Sequence, residues 1–348
     1  MILAGDIGGT NTRLGLFKQK GSDLFLLSEK KYASNSWREI ELIIEHFLKN
    51  TIDDASKIEA GCLSLAGPIE EDQCKLTNLE TVLNFDKIRN RFNTFSFAFC
   101  NDLVALGYGL KALKSNNLLC LTSGAEIGVN LNKAILAPGT GLGESLIIKG
   151  KYITPTEGAH ADFAPRNELE VKLWRFLHKE YGHVSYERIL SGPGLTNLYR
   201  FLLQEEEESA KALPSLPSPE EISEKGRLDP SSIYYHTLKL FTEILGAEAG
   251  NTALKGLALG GVFIGGGIIP RILDQFDMNT FLNAFQDKGR FRELLERIPV
   301  YIIREEKTAL YGAAIYALEH KNIGRQKQFS PFEHKYNVVD SHADELKV

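Results

Sequence analysis

The 348-residue chain is predicted to be an α/β protein of two lobes, each built on a mixed sheet with helices packed against it. Three observations carry this expectation. The length exceeds what one ordinary hydrophobic core uses, so two lobes are the starting point. The segment Ile2 to Phe17, ILAGDIGGTNTRLGLF, reads as strand, glycine turn and strand, and Ala134 to Ile148, AILAPGTGLGESLII, repeats that shape. After each pair the chain alternates strand and helical patterns, which is the layering of an α/β fold.

Taken in order, the first lobe opens with strands over Ile2–Asp6, Thr12–Phe17 and Leu24–Tyr32. Ile40, Leu42, Ile43, His46 and Phe47 fall at helical spacing and predict a helix over Trp37–Leu48. A strand at Ala60–Leu65, a turn at Gly67–Pro68, a helical stretch at Phe85–Phe92, a strand at Phe95–Cys100 and a helix at Leu103–Leu113 follow. The second lobe starts with strands Ala134–Leu136, Glu144–Lys149 and Tyr152–Thr154. It continues through long helical segments to a strand, Gly261–Gly265, that runs into a third glycine turn, Gly265–Gly267. A final amphipathic helix is expected over Thr308–Glu319. The charge run Glu205–Glu208 and the Pro/Ser-rich stretch Leu213–Pro219 read as a solvated surface loop, and the polar tail from Asn322 as peripheral.

Composition narrows the class of partner. Hydrophobic residues make up 43%, charged residues 24% and the net charge is −5, an ordinary globular balance. No lysine/arginine stripe occurs, which argues against nucleic acid as the main partner. A nucleotide can still bind, because backbone amides and Mg²⁺ act locally. Cys62, Cys74, Cys100 and Cys120 show no CxxC spacing. Cys62, Cys100 and Cys120 lie in apolar strand-like runs and are expected as buried free thiols, fitting a reducing cytoplasm and offering no zinc set. No signal peptide precedes the first strand. The longest apolar run, Gly256–Ile269, is short, glycine-rich and closed by Pro270, so no membrane span is expected.

The glycine turns carry the chemistry. In the first, Asp6, Gly8, Gly9, Thr10 and Asn11 crowd one bend. It is not a P-loop, since no Gly-Lys-Ser/Thr occurs, and not a dinucleotide fingerprint, since a strand follows it rather than a helix. A plain hairpin needs no carboxylate and two hydroxyls, whereas a nest of successive N–H groups that binds phosphate uses all of them. In that reading Asp6 holds Mg²⁺ through water, and Thr10, Asn11 and Thr12 offer hydrogen bonds to a terminal phosphate. The second turn, Gly139-Thr140-Gly141-Leu142-Gly143, lacks the carboxylate but keeps the glycines, and grips the same polyphosphate from the other side. Asn101-Asp102 stands where an apolar strand hands over to a helix, at the strand end where α/β sheets collect ligands. Asp102 either caps that helix or accepts a proton from a substrate hydroxyl. Glu157 and His160 follow a strand in a small-residue turn suited to polyol hydroxyls, although Asp162 is near enough in sequence to pair with His160. Glu187 leads into Ser191-Gly-Pro-Gly194. His160, His178 and His183 form no metal-ligand ladder.

Together GDIGGTNTR, LAGPI, NDLVALG, GTGLG, EGAHADFAP, YGHVSYERILSGPGL and GGVFIGGGIIPR resemble the bacterial ATP-dependent glucokinase family, from Ile2 to about His320 and in the family's order. The resemblance implies the two-lobed actin-like ATPase (ribonuclease H-like) fold with its active site in the interlobe cleft. It implies a small lobe of residues 1–110 completed by a helix at about 304–320, a large lobe of 111–303 and a tail of 321–348. By carry-over Asp102 is the general base for the 6-hydroxyl of glucose, and Asn101, Glu157, His160 and Glu187 bind the ring hydroxyls. Asp6, Gly8, Gly9, Thr10 and Asn11 with Gly139, Thr140 and Gly141 hold the phosphates of MgATP, and Gly265 and Gly266 lie near the adenosine. A cytoplasmic homodimer acting on glucose and ATP is the implied setting. The sequence departs from the family after Thr77-Asn78, where the family's aromatic residue is missing, and beyond His320. Kinases for mannose, fructose or an N-acetylhexosamine, and a non-catalytic ATP-dependent switch, are the competing readings.

Overall fold

A computed structural model describes residues 1–21, 23–34, 39–67, 69–70, 72–76, 82–122, 128–205 and 216–321. Trp37, Pro68, Thr77 to Thr81, residues 206–215 of the charge run and the Pro/Ser-rich stretch, and the tail from 322 lie outside them.

The first sheet begins with β1 (Ile2–Ile7), β2 (Asn11–Lys20) and β3 (Asp23–Ala33). β1 is apolar on both faces, as a central strand must be, whereas β3 alternates toward solvent and carries Lys30 and Lys31 on the open edge. The chain continues through α1 (Ile40–Thr51), β4 (Ala60–Leu65), the short meander β5 (Ile69–Glu70), β6 (Gln73–Lys75) and β7 (Val82–Asn84), then α2 (Phe85–Arg91), β8 (Ser96–Asn101) and α3 (Asp102–Gly109). The strand order is β3-β2-β1-β4-β8, with β1, β4 and β8 parallel.

The second sheet comprises β9 (Leu118–Cys120), β10 (Lys133–Pro138), β11 (Leu142–Ile148) and β12 (Tyr152–Thr156). Helices α4 (Glu168–Tyr181), α5 (Gly192–Glu205), α6 (Pro219–Lys225) and α7 (Ile233–Gly256) intervene before β13 (Val262–Ile264). Then come α8 (Ile269–Ile272), α9 (Met278–Gln286), α10 (Arg292–Glu296), β14 (Val300–Ile303) and α11 (Thr308–His320). Its order is β12-β11-β10-β13-β14-β9, with β10, β13 and β14 parallel. Antiparallel β10–β11–β12 repeats β1–β2–β3, so the recurring pattern seen in the sequence is a recurring topology. The pairing of β14 with β9, on the far edge, had no signal in the local pattern. Cys120 on that edge strand is exposed, against the expectation of a buried thiol: β9 is outermost, so only one flank is covered. Cys62, Cys74 and Cys100 are buried.

Helix α3 ties the sheets together. Ala105 joins the core of Ile2, Ala4, Cys62 and Ala313 under α11, while Leu103 and Leu106 pack with Ile135, Ile147, Phe263 and Ile303 of the second sheet. The approach to α11 needs a missing side chain: a Cβ on Gly312 would overlap the Ala105 carbonyl. Through that contact the chain's last described helix seats the helix that begins at Asp102.

Candidate active site

The floor of the site is formed by the carboxyl ends of parallel strands. Asp6 on β1 is in register with Ser64 on β4, and Ser64 with Cys100 on β8, one residue before Asn101. The Ser64 hydroxyl donates to Asp6 Oδ1 at 2.9 Å. Burial raises the Asp6 carboxyl above its ordinary range, with Ser64 and Arg13 pulling the other way. Asn101 is the N-cap of α3, its Oδ1 accepting from the Leu103 N–H at 2.9 Å, which leaves its Nδ2 for a ligand. Capping therefore belongs to Asn101; Asp102 is the first helical residue, its Oδ1 also 2.9 Å from the Leu103 N–H. Burial, and then the charges of Asp6 and Glu157, raise the Asp102 carboxyl to about 7. A carboxyl near that value has the proton affinity that general-base work at neutral pH calls for.

The first glycine turn closes by a Gly8 N–H donating to the Asn11 carbonyl at 2.9 Å. Thr10 and Asn11 are exposed at its tip. Thr12 corrects the sequence reading. It is fully buried with its hydroxyl 3.1 Å from Ser34 Oγ, because strand alternation turns it inward, so it braces the turn instead of facing a phosphate. Ser34, which nothing in the local pattern singled out, also donates to the Gly8 carbonyl at 2.7 Å.

The second and third turns interlock. Gly139 N–H donates to the Gly141 carbonyl at 2.7 Å, and the Gly139 carbonyl accepts from Gly192 N–H at 2.8 Å, where α5 begins. Gly265 N–H donates to Leu136 and Ile268 N–H to Pro138. Gly266 has φ +83°, and a Cβ there would overlap the Pro138 carbonyl. Thr140 is exposed beside them.

On the opposite side Glu157, His160 and Glu187 converge. His160 Nε2 lies 3.7 Å from Glu157 Oε2 and its Nδ1 3.9 Å from Glu187 Oε1. Glu187 Oε2 accepts from the Leu142 N–H at 3.0 Å, so this carboxylate touches the second glycine turn. Asp162 does not pair with His160; it lies 2.9 Å from His183 Nε2. Two further groups escaped the sequence reading. Arg13 Nη1 is buried without a hydrogen-bond partner near Asp6. Glu144, directly after the second turn, is buried with its Oε1 likewise unpartnered. A lone carboxylate in an apolar strand was the available signal for the latter.

Among the described residues no group of three or more His, Cys, Asp or Glu could hold a metal by protein ligands. The floor nonetheless fits Mg²⁺ bound with phosphates, which needs only one or two carboxylates. Asp6 and Asp102 are desolvated and mutually repulsive, and a divalent cation would relieve both. Among the described residues no helix is long and apolar enough to cross a membrane.

Two sheets of like topology, joined by α3 and presenting paired glycine turns, define a protein of the actin-like ATPase fold. The family model described as Glucokinase matches residues 3–320. The glucokinase of Trichormus variabilis is 37% identical over 340 residues, covering 91% of this chain and 98% of the relative. The crystal structure of a glucokinase from an Antarctic psychrotroph matches with TM-score 0.78 at 30% identity, covering 91% of this chain and 98% of that one. A ROK family glucokinase from Streptomyces griseus, solved in complex with glucose and AMPPNP, shares the fold at TM-score 0.65 and 19% identity, with 91% and 99% covered. The chain belongs to the glucokinase family.

Proposed function

We propose that the chain transfers the γ-phosphate of MgATP to the 6-hydroxyl of glucose, with Asp102 as the general base. The observation that carries this reading is the Asp102 carboxyl, raised to about 7 at the start of α3 within the electrostatic reach of both Asp6 and Glu157. Asn101 Nδ2, Glu157, His160 and Glu187 bind ring hydroxyls and aim the 6-hydroxyl at Asp102. The Gly9 amide with Thr10 and Asn11, and the amides of Thr140 and Gly141, hold the phosphates, while the N–H groups of Gly8 and Gly139 close the two turns that present them; Gly265 and Gly266 border the adenosine. Asp6 would hold Mg²⁺ through water, and the bound cation would neutralise phosphate charge. As the new O–P bond forms, Asp102 takes the hydroxyl proton and ADP departs. Closure of the lobe of residues 1–110 and 304–320 onto that of 111–303 excludes water, the competing nucleophile. A dimer is the assembly the family implies, and light scattering on the full chain checks it.

The test is ADP release against a panel of glucose, mannose, fructose, galactose and N-acetylglucosamine. Turnover strongly favouring glucose is expected, because carboxylates and an imidazole that lobe closure takes out of water are costly to leave unpaired by the wrong epimer. ADP release independent of any sugar would refute the reading.

A further inference from the structure

Beneath the turn that carries Glu157 and His160 lies a set of buried charged side chains that phosphoryl transfer does not use. Glu144 on β11 is 3% exposed, and its Oε1 has no hydrogen-bond partner. Its backbone carbonyl accepts from Thr156 Oγ1 at 3.1 Å, and Thr156 Oγ1 accepts from the Gly158 N–H at 3.2 Å. The carboxylate itself presses on the turn, since a Cβ on Gly158 would overlap Glu144 Oε2.

Helix α7 faces Glu144 with a second carboxylate. Glu248 is fully buried, with Lys255 Nζ 3.6 Å from its Oε1, and the Thr252 hydroxyl, which donates to the Glu248 backbone carbonyl at 3.0 Å, lies 3.4 Å from the same oxygen. Asn251 Nδ2 donates to Glu248 Oε2 at 2.9 Å and to the Tyr186 hydroxyl at 3.0 Å. Tyr186 opens the single helical turn Tyr186–Arg188 that holds Glu187. Polar contacts thus run from the Glu157/His160 turn to Glu144, and from Glu248 through Asn251 to the Glu187 turn, and the charge of Glu248 acts on Glu144 between the two.

We propose that Glu144 is a positioning residue for sugar binding, setting with Glu248 and Asn251 the spacing between the turn of Glu157 and His160 and the turn of Glu187. This rests on the sugar site proposed above.

A carboxylate buried within the electrostatic reach of another is disfavoured in its charged form, by desolvation and by like charge. Burial, then repulsion from Glu248, raise the Glu144 carboxyl to about 8, with Lys255 and Thr252 opposing. The other charged and titratable groups around the pair are Tyr186, the Arg166–Glu170 ion pair and Lys288. At neutral pH Glu144 is the neutral member. As pH rises through about 8 Glu144 loses its proton, and its charge, repelled by Glu248, strains the turn of Glu157 and His160.

The experiment compares glucose KM, ATP KM and kcat for the full-length enzyme and for Glu144→Gln, Glu144→Ala and Glu157→Gln between pH 7 and 9. Glu144→Ala should raise glucose KM about tenfold or more, with kcat and ATP KM within about threefold, because a small misplacement of binding groups is costly. Glu144→Gln, the neutral isostere, should keep the wild-type KM at pH 7 and abolish the rise in KM that the wild type shows above pH 8. A folded Glu144→Ala enzyme with unchanged glucose KM overturns the inference, as does a Glu144→Gln enzyme as impaired as the alanine variant. Should Glu144→Ala not fold, the pH profile of Glu144→Gln decides: a KM that still climbs above pH 8 overturns the inference. Glu157→Gln separates the two readings. If it leaves glucose KM unchanged, the sugar site itself is wrong; if it raises KM while Glu144→Ala does not, only the positioning role falls.

Discussion

Replacing Asp102 by asparagine removes a base and a buried charge in one step, and the two consequences run in opposite directions. The carboxyl lies at about 7 where 3.8 is ordinary, because the protein surrounds it and Asp6 and Glu157 repel it. At 1.36 kcal/mol per pKa unit, that difference means the ionised side chain destabilises the fold by ~4 kcal/mol. One face of the residue stays open to the cleft, and screening by water there halves the figure to about 2 kcal/mol. The sign follows from linkage. The folded state holds this proton more tightly than the unfolded chain, so the penalty is absent below about pH 4, grows through the interval to about pH 7, and is complete above it. Asparagine carries no such penalty, and its Oδ1 can still accept from the Leu103 N–H. Asp102→Asn, without nucleotide or Mg²⁺, is therefore expected to be more stable than the wild type by about 2 kcal/mol at pH 8. That is ~2–4 °C in Tm for a chain of this size, and less than half as much at pH 5. Its kcat should fall by about 10²–10⁴, the usual range for loss of a general base. Wild-type kcat/KM should decline below about pH 7 as the base is protonated. Urea or thermal unfolding at pH 5, 6 and 8, with a coupled ADP assay, measures both effects. A stability gain that is missing at pH 8, or equal at pH 5 and pH 8, would refute the desolvated carboxyl; near-normal turnover would remove Asp102 from the chemistry.

Two other perturbations separate the donor side from the sugar side. Ser34→Ala removes a donor to the Gly8 carbonyl and the partner of Thr12, and about 1 kcal/mol of lost hydrogen bonding should raise ATP KM by ~3–10-fold. Glucose KM should stay put, and an unchanged ATP KM would detach the first turn from the phosphates. Gly266→Ala forces a side chain into positive φ against the Pro138 carbonyl, at a cost of about 1–3 kcal/mol, and should lower both Tm and affinity for a fluorescent ATP analogue. Gly267→Ala meets nothing within 4 Å and should keep wild-type stability; equal destabilisation by the two would show that the interlocking turns are not the cause.

Glycine turns between apolar strands, the handover from strand to helix at Asn101-Asp102, and the recurrence of strand–turn–strand at Ile2 and Ala134 were legible in the order of residues. They depend on short-range sterics: which residues tolerate a tight turn, which alternate, and which cap a helix. From those came the α/β class, the paired turns, and the carboxylate at the end of β8. Distant packing decided the rest. Ser34 meets Gly8 and Thr12 only because β3 folds back along β2, and Thr12 points inward by register. Asp162 pairs with His183 across an isolated bridge between Asp162 and Ser185, so no local spacing could have assigned it. Glu144 and Glu248, more than a hundred residues apart, come within electrostatic reach, both buried, only when α7 packs against β10. The pKa of Asp102 is likewise a property of the assembled cleft. Desolvation and the charges of Asp6 and Glu157 arise only once α3 is seated between the two sheets, and neither quantity is written in the residues adjoining Asp102.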